Sequence, residues 1–108
     1  MCEFQSLYFD EDGYVVRCKQ CGHYQVAFIS TMLTLTETDF HEFCKLVKNK
    51  WYNSDESSPD CSKAVILKTP AQGVFIMLTR SEAGRFCEIL EQADSEARAL
   101  TMINLFNP

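Results

Sequence analysis

The sequence predicts an α+β fold: two β-β-α repeats forming one antiparallel sheet with both helices packed on one face, plus an N-terminal hairpin and a C-terminal helix. Three observations lead there. The chain repeats itself at an offset of 43 residues: Leu35-Thr36-Glu37-Thr38-Asp39 and Phe43-Cys44-Lys45-Leu46-Val47 fall on Leu78-Thr79-Arg80-Ser81-Glu82 and Phe86-Cys87-Glu88-Ile89-Leu90. In both copies a β-rich segment runs into a Thr/Ser stretch with an acid, the chemistry that caps a helix N-terminus. Behind each cap, apolar residues recur at 40, 43, 44, 47 and 51 and at 83, 86, 87, 90 and 93. That is a period of about 3.6 residues and one buried stripe per helix.

Each element follows in order. Leu7-Tyr8-Phe9 and Tyr14-Val15-Val16 flank Asp10-Glu11-Asp12-Gly13, and Asp-Gly between apolar runs signals a hairpin. This hairpin and the cysteine turn after it occupy residues 1–23. Repeat one, 24–52, opens with a strand over Tyr24–Ile29, turns at Ser30-Thr31, continues as Met32–Leu35 and ends in a helix closed by Trp51-Tyr52. Residues 53–62 form an acidic, polar loop. Repeat two, 63–93, has strands at Lys63–Lys68 and Val74–Leu78 around Thr69-Pro70-Ala71-Gln72-Gly73, where Pro fixes φ and Gly supplies the unusual angle. Asp94-Ser95-Glu96 can cap a further helix over 95–106, although nothing but that cap forbids one continuous helix from about residue 81. Such short hairpin connections require antiparallel pairing. The expected core is Val26, Phe28, Phe40, Phe43, Val47, Val65, Leu67, Phe75, Phe86 and Leu90.

Composition bounds the function. A length of 108 residues with 46% hydrophobic content suits a single domain, 1–108, that closes its own core. Fifteen acids against ten bases give a net charge of −5, which disfavours nucleic acid and anionic membrane as partners. The chain has no apolar run of membrane-spanning length and no basic, apolar leader, so a cytoplasmic location is expected. It contains no Gly-rich phosphate loop, no G-x-S-x-G and no H-E-x-x-H. An enzyme therefore has little to stand on, and a non-catalytic interaction or regulatory module is the better expectation.

Cys18-Lys19-Gln20-Cys21-Gly22-His23 is the sharpest local signal. C-x-x-C-G after a strand has the form of a zinc knuckle, two thiolates on one tight turn, with Gly22 letting the chain reverse. It is half a site. His23 is the best further ligand for a structural zinc, because 21 and 23 project to the same side of an outgoing strand. Cys2 comes next, although strict hairpin register sets Leu7 opposite Cys18 and leaves Cys2 five residues beyond. Cys61, beside the acidic loop, is a third option. The alternatives are that Cys18 and Cys21 are merely free thiols on a sheet, or that the chain is a thiol-based redox or metal-handling protein using them, the latter weakened because no helix N-terminus follows to acidify a thiol. Cys44 and Cys87, equivalent in the repeat, read as core residues. His41 reads as a solvent-facing histidine, and Lys45, Lys48 and Lys50 as a solvated helix face.

The run Cys18-x-x-Cys21-Gly22-His23-Tyr24-Gln25-Val26-x-Phe28, with Leu33-Thr34-Leu35 and the Phe40/Phe43 helix, resembles a family of short uncharacterised proteins from Bacteroidetes. The likeness extends to Lys68-Thr69-Pro70 and Leu105-Phe106. It implies a bacterial cytosolic protein and carries over no catalytic residue. Finally, Met102, Ile103, Leu105 and Phe106 occupy more of their helix than one neighbour can cover. This segment either packs deeply into the domain, the commoner outcome, or makes a subunit contact, for which a two-fold homodimer is the expected partner arrangement.

Overall fold

Alternating side chains build the first half of the molecule. In the computed structural model, which describes residues 3–54 and 62–106, Phe4–Phe9 (β1), Gly13–Cys18 (β2), Tyr24–Phe28 (β3) and Thr31–Leu35 (β4) form an antiparallel sheet in the order β1-β2-β3-β4. Tyr24, Val26 and Phe28 alternate along β3 and are all buried. Gly13 pairs with Phe28, and a Cβ there would collide with the Ala27 carbonyl, so the close approach demands glycine. Asp10 shapes the preceding turn by accepting hydrogen bonds from the N–H groups of Asp12 at 2.7 Å and Gly13 at 3.1 Å.

Both helices begin as the repeat requires. Thr36 Oγ1 accepts from the Asp39 N–H at 3.1 Å to start Glu37–Tyr52 (α1). At the equivalent position Thr79 Oγ1 accepts from the Glu82 N–H at 3.1 Å, while the Glu82 carboxylate accepts from the Thr79 N–H at 2.8 Å. This reciprocal capping box starts Arg80–Phe106 (α2). Phe86 stacks on Phe28 at 4.5 Å and meets Phe43 edge-on at 5.7 Å, so the two helices share one core as expected. Nine of the ten residues expected in that core are buried. Among the described residues no helix is long and apolar enough to cross a membrane.

The α+β class holds, with five corrections. Val65–Lys68 (β5) and Phe75–Leu78 (β6) form a separate two-stranded sheet rather than extending the first. Val65, Leu67, Ile76 and Leu78 bury one face of this hairpin in the common core. Burial against the helices satisfies the apolar face without edge pairing to β4, and alternation specifies only the face. Phe75 consequently lies on the outer face, 56% exposed, because Ile76 and Leu78 take the inward phase.

The break expected near residue 94 does not occur, and α2 is continuous. Ala93 and Ala97 continue its buried stripe, and Asp94 pairs with Arg98 one turn on at 2.9 Å instead of capping a new helix. The β3–β4 turn is Ile29-Ser30, with Phe28 paired to Thr31 and Ile29 at φ 56°, an unusual angle for a β-branched residue. Last, Met102, Ile103 and Leu105 are exposed rather than deeply packed, since the final turns of α2 extend past the surfaces that cover its earlier residues.

One long-range cluster has no trace in the repeat. Arg85 on α2 binds Asp10, Asp12 at 3.1 Å and the Tyr8 hydroxyl at 2.9 Å, fastening the N-terminal hairpin to the helix. The hydrogen bond from Tyr8 holds the Asp10 carboxyl below the usual aspartate range.

Candidate functional site

Two places concentrate functional chemistry. The first is the cysteine turn. β2 ends at Cys18, and the chain reverses through Lys19-Gln20-Cys21-Gly22 into β3. The Gly22 N–H donates to the Cys18 carbonyl at 2.9 Å, the Cys18 N–H donates to the His23 carbonyl at 2.8 Å, and Gly22 takes φ 76°. The Cys21 N–H lies 3.4 Å from Cys18 Sγ. A main-chain donor aimed at a sulfur is what a thiolate on a tight turn requires, so the donor chemistry fits half of a tetrahedral zinc site.

The remaining candidates are placed unequally. Cys18 is buried, whereas Cys21 and His23 are exposed. His23 stands opposite Cys18, extending the Arg17–Tyr24 pair, and the left-handed Gly22 lies between Cys21 and His23, ahead of the first residue of β3. Cys2 and Cys61 lie outside the described residues. The register relevant to Cys2 nevertheless differs from expectation: Phe4, not Leu7, opposes Cys18, because the turn centres on Glu11-Asp12 rather than Asp12-Gly13 and β1 has an irregularity between Ser6 and Tyr8. The main chain of Glu3 reaches the turn itself, its carbonyl accepting from the Lys19 N–H at 2.8 Å and its N–H donating to Gln20 Oε1 at 2.6 Å. Among the described residues, no three His, Cys, Asp or Glu side chains converge as a metal-binding group.

The other cysteines behave as core residues. Burial pushes the Cys44 thiol up to about 12 and the Cys87 thiol up to about 11, keeping both protonated and unreactive near neutrality.

The second place is a groove of about 590 Å³ beside the helix pair. Glu37, His41 and Lys45 line it from α1 at helical spacing, Asp94, Arg98 and Met102 from α2, and Tyr24 and Arg17 from the sheet. His41 is partly exposed, its side chain 41% accessible at the groove, and it also faces two carboxylates. Its Nε2 lies 3.8 Å from Glu37 and its Nδ1 3.6 Å from Asp94 Oδ1. Asp94 Oδ1 is buried and has no hydrogen-bond partner among the described residues. Tyr24 is fully buried, stacks on Phe40 at 4.1 Å and has its hydroxyl pKa raised by that burial. The sequence signal for this groove was faint: a stripe at 37, 41 and 45 on the polar side of α1, with a continuous α2 left open but not favoured over a break near residue 94.

An α+β fold of a four-stranded antiparallel sheet, a two-stranded sheet and two helices, with a cysteine turn between two strands and a charged groove beside the helices, is the class that fold and sites define. The chain belongs to a family of unknown function (DUF6686), whose family model matches residues 1–106. No curated protein and no solved structure matches it.

Proposed function

We propose that this protein is a non-catalytic interaction module whose cysteine-turn end is fixed by one structural zinc ion, held by Cys18 and Cys21 with Cys2 and His23 completing the set. The observation that carries the reading is the turn: the Cys21 N–H directed at Cys18 Sγ, with Gly22 in the left-handed region behind it. Support for Cys2 comes from its covalent neighbour, since both main-chain polar groups of Glu3 are hydrogen-bonded to the turn. Support for His23 comes from its register opposite Cys18, a position from which directly opposed side chains meet. The reading places the chain in the reducing cytoplasm, where thiolates stay available to a metal. The redox alternative gains nothing from the geometry, because the turn joins two strands rather than opening a helix whose N-terminus would acidify a thiol.

The contact surface in this reading is the outer face of the β5–β6 hairpin. Ile66 and Met77 are cross-strand partners there, and both are about half exposed, as is Phe75. A two-fold pair of chains would cover that face from both sides.

Metal content tests the first half. Protein purified without added metal should carry about one zinc per chain, and Cys18→Ser or Cys21→Ser should abolish it. Metal-free wild-type protein that is otherwise folded would refute the reading. Light scattering tests the second half: a dimer that Met77→Glu dissociates supports the hairpin face, and a monomer at high concentration rejects it.

A further inference from the structure

We propose that two copies of this chain join edge to edge through β6, so that their two-stranded sheets merge into one sheet of four strands. The inference rests on the reading above that the β5–β6 hairpin is the contact surface, and adds to it a defined main-chain register.

Hydrogen-bond direction along the hairpin identifies the edge. The Thr69 N–H donates to the Val74 carbonyl at 3.3 Å, so these opposed residues form a hydrogen-bonded pair. Alternation in an antiparallel ladder then makes Leu67–Ile76 and Val65–Leu78 hydrogen-bonded pairs too, while Ile66–Met77 and Lys68–Phe75 are not. The N–H and C=O groups of Phe75 and Met77 therefore point away from β5. Among the described residues no strand pairs with them on that side. Ile29 and Ser30 of the β3–β4 turn stand across a cleft of about 140 Å³ from β6, and no main-chain hydrogen bond crosses it.

The other edges are less suited. β5 carries Lys68, a charge of the kind that blunts an edge, and β1 is irregular between Ser6 and Tyr8. β4 borders a sheet that already has four strands, whereas β6 belongs to a sheet of two, a size that is marginal alone. Phe75-Ile76-Met77-Leu78 has no charge, proline or glycine to oppose pairing with its own copy.

Register follows from where the outward groups lie. About a two-fold axis at Ile76, Phe75 faces the partner's Met77 and Met77 faces the partner's Phe75, and each pair exchanges two main-chain hydrogen bonds. Moving the axis to Phe75 or to Met77 leaves one such pair within the strands. The next outward residue is then Gly73, in the turn at φ 79°, or Thr79, whose N–H is already donated to the Glu82 carboxylate at 2.8 Å. The same register joins apolar side chains. Phe75 and Met77 are each 56% exposed, and pairing sets the ring of one chain against the thioether of the other.

Amide hydrogen exchange over a concentration series tests the pairing, with light scattering reporting the mass. In the dimer, exchange at Phe75 and Met77 should slow by about tenfold or more relative to dilute monomer, whereas Ile76 and Leu78, already bonded to β5, should change little. Met77→Pro removes an N–H that β5 does not use, so the hairpin is retained and the protein should be monomeric. Met77→Leu keeps the N–H and an apolar side chain and should remain dimeric. The edge pairing is overturned, and the contact of outer faces left standing, by a dimer whose Phe75 and Met77 amides exchange as fast as in the monomer. A folded Met77→Pro protein that stays dimeric has the same consequence. If Met77→Pro does not fold, the exchange rates of the wild type decide. A wild-type monomer at high concentration rejects both the faces and the edge.

Discussion

The two β-β-α repeats end up in different structural circumstances. In repeat one the hairpin β3–β4 is hydrogen-bonded along its free side to β2, and so lies within a four-stranded sheet. In repeat two the hairpin β5–β6 forms a two-stranded sheet of its own and is held to the rest by the side chains of its buried face. The helices differ in the opposite sense. α1 begins with a single capping bond from Thr36, whereas α2 begins with a reciprocal box between Thr79 and Glu82, reinforced by Lys63 on Glu82 at 2.6 Å. The two halves therefore share element order and buried faces, while edge pairing depends on what flanks each hairpin. The copy without a flanking hairpin has the stronger local helix start.

Breaking the shared core should have the largest effect. Phe86 touches both Phe28 and Phe43 and so joins the repeats; Phe86→Ala should cost about 3 to 5 kcal/mol in urea unfolding. The exposed Phe75 should show the contrast, with Phe75→Ala costing well under about 1 kcal/mol. Next come the caps. Thr79→Ala should cost about 1 to 2 kcal/mol and Thr36→Ala nearer to about 1, because only the former dismantles a reciprocal pair. Equal losses would erase that distinction between the repeats.

Smaller effects sharpen it further. Ile29→Asn, in the tight turn of repeat one, should raise stability by about 0.5 to 1 kcal/mol by relieving a left-handed β-branched residue. In repeat two, the ion pair with Lys63 and the Thr79 N–H hold the Glu82 carboxyl below the usual glutamate range. Its stabilising contribution is complete above the ordinary glutamate range and is lost as pH falls through the lowered folded value. The acid side of the melting curve should therefore flatten in Glu82→Gln. Finally, Cys44 and Cys87 should both alkylate far more slowly at about pH 8 than Cys21 in metal-free protein, as expected for thiols raised by burial.

Much of this architecture was legible from residue spacing. The stripes from Phe40 to Trp51 and from Ala83 to Ala93 packed as their period required, and Thr36 and Thr79 capped where the repeat placed them. Two kinds of information were missing. In Val74-Phe75-Ile76-Met77-Leu78 every residue is apolar, so alternation cannot choose a phase; the repeat itself held the answer, because Leu78 aligns with the buried Leu35. Partners distant in sequence were equally hidden. Asp94 resembled a cap by its neighbours, and only the approach of α1 to α2 makes it a groove residue beside His41. The cysteine turn was visible as a motif, but the register that brings Glu3 to it depends on a local irregularity in β1 that no hydrophobic pattern encodes.

The central claim is that a metal fixes the cysteine-turn end of the molecule, and amide hydrogen exchange before and after chelation tests it most directly. The account predicts that removing metal accelerates exchange at Lys19, Gly22 and the adjoining ends of β1 and β2, while the amides of β5, β6 and the α1–α2 core keep their rates. Identical exchange before and after chelation, at every amide of the turn, would contradict it.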